Sequence, residues 1–516
     1  MELVKKNIHM DRTRAKATNQ ITLDDDMNIS DTMPDARTVI LDKAEIRLDE
    51  VKGTTDHAAV KGMIVFSILY QTDEENSTLY CMNGKLPFEE QVYMEGVSGT
   101  DTVNVEWEME DFSVSLINSR KLNIKALISL RLFTEELYDE ETAVELYMEE
   151  KAEFCKKQME IAQIAVSKRD IFRLKEEVQL PQNEPNIYQV LWQSAAPSDF
   201  EFVPMEEKIG VKGLIRLFVL YEGEGENTPV RTFSTTVPVT GSIECHGCME
   251  NMLADIGCIV SHQELEVRPD FDGEERVIGL DLALELDIKL YEQDQIEILS
   301  DVYGVTKEIE AIKRPAQYRR FLPVETGECR IADRVRVRSG NARVLQPLHS
   351  EGSVHVENIT ITDEGLQVDG SLGIQTLYLA SDDTMPYSAT DAVVPFRHMI
   401  QVPGISSADT FRVRGSLEQL SVNMADSEDL DVKATLHFHA VVFSQVEEAV
   451  ITEIRVEDLD AAKMGELPGI VAYVAREGDT LWQIGKKYYV PIEQIMEMND
   501  LTSDTLKAGD KLLIVK

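Results

Sequence analysis

Three stretches of the chain repeat one pattern at fixed spacing. AVKGMIVFSILY ends at Tyr70, GVKGLIRLFVLY at Tyr221 and QVDGSLGIQTLY at Tyr378, with glycines at Gly62, Gly213 and Gly370. A proline stands 25 residues after each glycine (Pro87, Pro238, Pro395), and another glycine 9 residues later (Gly96, Gly247, Gly404). The local strings LPFEEQVYMEGV, VPVTGSIECHGC and VPFRHMIQVPGI keep the same frame. A unit of about 150 residues is too long for a stacked solenoid and implies tandem domains.

The match continues on both sides. ITLDDDMNISDTMPDARTVI from Ile21 pairs without a gap with FRLKEEVQLPQNEPNIYQVL from Phe172, so Pro34 and Pro185 each lie 28 residues before their glycine. The third copy lacks that proline, and NARVLQ from Asn341 aligns only after a small shift. Downstream, KLNIKALISLRLF pairs with DLDVKATLHFHAVVF and, past an insertion, with VIGLDLALELDIKLY. Apolar residues alternate with polar ones in these runs, which predicts half-buried strands. Prolines and glycines punctuate them, and Gly223-Glu224-Gly225 reads as a hairpin turn. The expected fold is mainly β: three antiparallel β domains, as sandwiches, over 1–150, 151–315 and 316–460. A linker over 461–469 then leads to a small α+β domain over 470–516. Val144 to Val166, rich in Ala, Glu, Lys, Met and Gln, is the best helix candidate in the repeats.

Composition excludes several functions. The net charge is −42, with 45 Lys/Arg against 86 Asp/Glu in the first 469 residues, whereas 470–516 is nearly neutral with six and seven. No nucleic-acid partner is expected, because nothing would neutralise phosphates. No apolar run approaches the roughly 18 residues of a membrane span. The N-terminus, MELVKKNIHMDRTRAK, has no apolar core of a secretory signal, so the chain is expected to work inside the cell that makes it or to leave by a non-standard route. Six cysteines without such a signal fit reduced thiols.

Few residues carry a chemical signature. Cys245, Cys248, Cys258 and His262 have the donor types and spacing of a tetrahedral zinc site. The repeats argue against it. Met94 and Val402 occupy the position of Cys245, Val97 and Ile405 that of Cys248, and Trp107 that of Cys258. Buried free cysteine behaves as a small hydrophobe. His437 and His439 share one face of a strand whose other face carries Leu436, Phe438 and Ala440, so they read as a solvated polar face. No nucleophile elbow, zinc-protease motif, phosphate-binding loop or dinucleotide fingerprint occurs. No enzyme activity and no cofactor are expected.

The last 47 residues, Ile470 to Lys516, read as strand, helix, helix, strand. IVAYV is the first strand, Gly478-Asp479-Thr480 opens a helix with Leu481, Ile484 and Tyr488 on one face, and Pro491 opens a second that Asn499 ends. Lys507-Ala508-Gly509-Asp510 turns into a closing LLIV. This order, with Y-x-V-x-x-G-D-T-L-W-x-I, N-x-L and G-D-x-L-x-I, resembles a LysM domain. The resemblance implies binding of N-acetylglucosamine glycans such as peptidoglycan or chitin through two loops: Gly478, Asp479, Thr480 and Leu481 in one, and Asn499, Leu501, Thr502 and Leu506 in the other. Trp482 reads either as packing or as an exposed contact.

The upstream repeats, V-x-G with a strand ending in Tyr and then x-P-F/V with Gly nine later, resemble the SPOCS domains of clostridial spore-coat proteins. Three of them followed by a LysM domain resemble SipL-like coat morphogenetic proteins. That resemblance implies a non-enzymatic adaptor, made in the mother-cell cytoplasm and acting at the forespore surface. It would help a coat morphogenetic ATPase encase the spore, with its LysM domain contacting protein. Glycan binding is the alternative.

Overall fold

Alternating side chains turn nearly all of the three repeats into antiparallel strand. The computed structural model describes residues 1–72, 78–225, 230–325, 327–337, 343–460 and 467–516. Repeat 1 contains β1 (Glu2–Asn28), β2 (Ala36–Thr54), β3 (His57–Thr72), β4 (Leu79–Tyr93), β5 (Val103–Asn118) and β6 (Lys121–Tyr147). They form two sheets, β1-β6-β5 and β2-β3-β4, which enclose a core that includes Ile64, Phe66, Ile68, Ile128 and Leu130. Repeat 2 copies this plan with β7 (Ala152–Gln179), β8 (Ile187–Met205), β9 (Lys208–Gly223), β10 (Val230–Glu244), β11 (Leu253–Pro269) and β12 (Glu275–Gly304). In repeat 3 the first strand is broken into β13 (Lys307–Phe321) and β14 (Glu328–Arg336), both paired to β19 (Asp429–Asp458). β15 (Val344–Ile361), β16 (Gly365–Ala380), β17 (Tyr387–Gln401) and β18 (Thr410–Met424) complete it. β13 runs through the 315/316 junction expected from the repeats. Asn341 and most of the expected linker, 461–466, lie outside the described residues.

The repeat motif now has physical meaning. A Cβ on Gly62 would lie 2.6 Å from the Arg47 carbonyl and 2.8 Å from the Phe88 ring; on Gly370 it would lie 2.2 Å from the His355 carbonyl and 2.7 Å from Phe396. In repeat 2, Val239 stands where Phe88 does, and Phe200 from β8 covers Gly213 instead. Gly96, Gly247 and Gly404 turn the chain at φ near +80°, where a side chain would strain the backbone. The tyrosine and the upstream proline are two ends of one tether. Tyr70 donates to the Pro34 carbonyl at 3.2 Å, and Tyr221 to that of Pro185 at 3.5 Å. The third copy lacks the proline, and the buried Tyr378 hydroxyl has no partner among the described residues.

The sandwiches use only part of the long strands. β5 covers β6 as far as Thr134, β11 covers β12 as far as Tyr291, and β18 covers β19 as far as Phe443. Beyond these points each repeat extends a two-stranded ribbon: β1 with β6, β7 with β12, and β13 with β19. A lone ribbon is marginal in water. Here the three pack together around Ile8, Met10, Met159, Ile161, Ala316 and Tyr318, forming a stalk. Val144 to Val166, expected as a helix, is the end of β6, a four-residue turn over 148–151 and the start of β7. Its buried residues Met159, Ile161, Ala162 and Ile164 break strict alternation beside a register shift opposite Leu290/Tyr291. The resulting i, i+3 spacing imitates a helix face, while burial between ribbons overrides propensity.

Two phenylalanine substitutions should have opposite effects. Tyr70→Phe should lose about 1 kcal/mol in chemical denaturation, because it removes a made hydrogen bond. Tyr378→Phe should be neutral or stabilising.

Candidate functional site

The C-terminal domain is built from β20 (Ile470–Val474), α1 (Leu481–Tyr488), α2 (Ile492–Met498) and β21 (Lys511–Val515), the order expected. Its core holds Leu481, Ile484, Val490, Ile495, Leu512 and Ile514. Most of the expected loop residues are part of the scaffold. Thr480 caps α1 through a capping box: its hydroxyl accepts from the Gln483 amide at 3.2 Å, and Gln483 Oε1 accepts from the Thr480 amide at 3.3 Å. The Asp479 carboxylate accepts from the Arg476 amide and the Tyr473 hydroxyl, both at 2.8 Å. These bonds hold its carboxyl below the usual range. Asn499 staples α2 to β21, donating to the Ile495 and Leu513 carbonyls at 2.8 Å and accepting from the Leu513 amide at 2.6 Å. Leu481 is buried, and Leu501 and Leu506 pack on the core. Gly478, at φ +88°, and Thr502 are exposed.

α1 also presents a second face, which docks on the stalk. The Trp482 indole donates to Asp301 at 2.9 Å and lies edge-on to Tyr303, with ring centres 4.8 Å apart. Lys486 meets the same Asp301 carboxylate at 2.7 Å, and Lys313 adds a second cation at 3.4 Å. Tyr303 donates to the Val490 carbonyl at 2.8 Å, and Tyr489 to Glu308 at 2.5 Å. Gly485 permits this approach, since a Cβ there would sit 2.4 Å from the Tyr303 hydroxyl. Burial alone would raise Asp301, but Lys486 and the indole hold it below the usual carboxylate range. Trp482 is thus packing, not a free ligand contact. Asp301, Tyr303 and Glu308 were not readable as partners of the C-terminal domain. The one hint was a tryptophan off the helix's apolar face.

The cysteine and histidine candidates do not converge. Cys245 and Cys248 are buried in the turn after β10, while Cys258 and His262 are exposed on β11. Burial pushes the Cys245 thiol up. All six cysteines are free. Among the described residues, no three His, Cys, Asp or Glu side chains come together as a metal site. His437 and His439 lie opposite the buried Leu436 and Phe438, as expected.

A cleft of about 1230 Å³ lies between repeats 1 and 3, with Asp42, Glu108, Asp111, His355 and Asp391 in its walls. His355 Nδ1 meets Glu108 at 2.7 Å. Burial first, then the Asp391 carboxylate, pushes Asp42 up to about 6; a hydrogen bond from the Val114 amide at 3.1 Å opposes them, and Asp111 adds a smaller rise. No helix among the described residues is long and apolar enough to cross a membrane.

Comparison with known proteins accords with this geometry. Residues 473–515 match the LysM domain, and residues 35–117, 186–268 and 343–425 match the family described as SipL, SPOCS domain. Each SPOCS match starts at or beside β2, β8 or β15 and ends at, or within a residue of, the end of the strand before the long return strand, so it leaves out the ribbons. A stretch of 42 residues is 40% identical to the uncharacterized protein YkzQ of Bacillus subtilis (strain 168). It covers 8% of this chain, and the chain spans only 56% of that protein's length. No solved structure matches. Fold and site define a class: a non-enzymatic protein of tandem β repeats ending in a small binding module, an adaptor for protein or glycan. Within it, the chain carries tandem SPOCS domains followed by a C-terminal LysM domain, which matches a SipL-like architecture.

Asp301→Ala should release the LysM domain without unfolding the sandwiches. Trp482 emission should shift to the red and α1 amides should exchange faster, at a cost of about 2 kcal/mol for a charged hydrogen bond. Because Asp301 is depressed, acid should release wild-type docking only below the unfolded carboxylate value of about 3.9. Asp42 has the opposite sign. Its raised pKa means that its charge opposes folding above about 6, and that stability rises as pH falls through that value. Asp42→Asn should add on the order of 1 kcal/mol at pH 7.5 and flatten that pH dependence in thermal melts.

Proposed function

We propose that this chain is a spore-coat assembly adaptor that helps encase the forespore by binding coat morphogenetic proteins, among them an ATPase, through its LysM and repeat domains. It would be made in the mother-cell cytoplasm and act at the forespore surface. The observation that carries this reading is the combination of three SPOCS matches and one LysM match in a single chain. Four units would share the work, near 1–150, 151–315, 316–460 and 470–516, with the second junction moved to 305–306, between β12 and β13. Three similar sandwiches would give multivalent docking and raise avidity without one strong contact.

Glycan binding by the LysM loops is the second reading. It is favoured by one observation: Gly478 and Thr502 stay exposed while α1 is docked on the stalk. Thr502 is the better probe, because Asp479, Thr480 and Asn499 hold the fold together.

In sporulating cells, the full chain should co-purify with coat morphogenetic proteins, and deleting 470–516 should abolish encasement. Unchanged localisation and encasement after that deletion would sink the adaptor reading for the LysM domain. Retention on purified peptidoglycan, lost in Thr502→Arg, would favour the second reading.

A further inference from the structure

The three repeats close around a pseudo-threefold axis, and some equivalent positions on it carry complementary rather than similar residues. Lys43 and Ser194 are 151 residues apart, and Lys43 and Glu351 308 apart, the same spacings that separate Gly62 from Gly213 and from Gly370. The three side chains meet: Lys43 donates to Glu351 at 2.8 Å and to Ser194 at 3.4 Å. His349 binds the other Glu351 oxygen at 3.1 Å. Toward the stalk, Asp11 and Arg319 are again 308 residues apart and paired, and the third equivalent is the fully buried Ala162. Asp255 and Arg412, 157 residues apart, pair at 2.8 Å at one position of repeats 2 and 3.

Apolar levels of the same axis keep the symmetry. Leu69, Leu220 and Leu377 are equivalent, all buried, and belong to one cluster. Taken alone, such levels would accept three identical repeats as readily as three different ones. The charged levels would not. Three copies of repeat 1 would bring three Lys43 and three Asp11 side chains to the axis, and three copies of repeat 3 would bring three Glu351 and three Arg319. Like charges brought together at the buried Asp11 level and the half-buried Lys43 level are disfavoured, while a cation, a small neutral residue and an anion satisfy one another.

We propose that these charge-differentiated levels are a pairing code: they admit one first, one second and one third repeat to each ring, and reject like repeats from neighbouring copies of the chain. A contact surface whose apolar levels repeat in all three units needs such a device, because heterologous contacts between copies otherwise propagate into open assemblies. This inference stands independently of the coat-assembly reading.

The test uses three full-length variants, refolded from denaturant and sized by light scattering. Lys43→Glu and Glu351→Lys, each alone, put like charges on the axis and should refold to monomer with at least about tenfold lower yield, the loss that about 1.4 kcal/mol would produce. Mixed before refolding, they should form a heterodimer by exchanging repeats, because each ring then regains one cation and one anion. The double variant Lys43→Glu/Glu351→Lys should refold alone to monomer at wild-type yield. Wild-type monomer yield for each single variant, or a double variant that refolds no better than the singles, would overturn the proposal.

Discussion

Where the three ribbons leave their sandwiches, the buried Asp11 and Asp255 and the half-buried Glu135 meet Lys289, Arg319, Arg412 and Arg414. Every repeat contributes to this network. Arg412 alone reaches Asp255 at 2.8 Å, Glu135 at 2.7 Å and Asp11 at 3.4 Å, so one side chain of repeat 3 ties repeats 1 and 2 together. Burial would raise the Asp11 and Asp255 carboxyls, but the arginines hold both below the usual range. A buried ion pair gives little net stability over a well-packed apolar group, yet leaving one of its members unpaired costs about 3–5 kcal/mol. Such a network therefore acts chiefly on which arrangement forms. Here it fixes where the sandwiches end and the stalk begins.

The stalk in turn gives the LysM domain a place to sit. β12 ends beside α1, and Asp301 and Tyr303 near its end take up Trp482, Lys486 and Val490. Because β12 also runs through the core of repeat 2, the small domain is coupled to a sandwich through one continuous strand. A binding module on a flexible tether would sample many orientations. One held by a shared carboxylate, an edge-on indole and two tyrosine hydroxyls presents its exposed loops in one direction, which lowers the ordering cost of binding.

Much of this was legible in the sequence, for identifiable reasons. Strands such as LNIKALISLRLF obey period 2, and the C-terminal domain carries its caps and turns at fixed offsets, so Thr480 and Asn499 could be placed before any coordinates. The Tyr70–Pro34 tether appeared only as a spacing. The stretch from Val144 to Val166 misled because its burial comes from other repeats, which a local pattern cannot record. Trp482 stayed ambiguous for the same reason: its partner Asp301 lies 181 residues away. The axis charges were visible in principle, since aligning the copies puts Lys43, Ser194 and Glu351 in one column. Only their meeting at an axis gives the column a meaning.

The central claim is that three sandwiches, stalk and LysM domain form one closed body. Small-angle X-ray scattering of the full chain in solution tests it most directly. A single compact particle is expected, whose scattering curve is reproduced by the closed ring with the LysM domain at the stalk tip. An extended, multi-peaked pair-distance distribution, as from beads on a string, would contradict it.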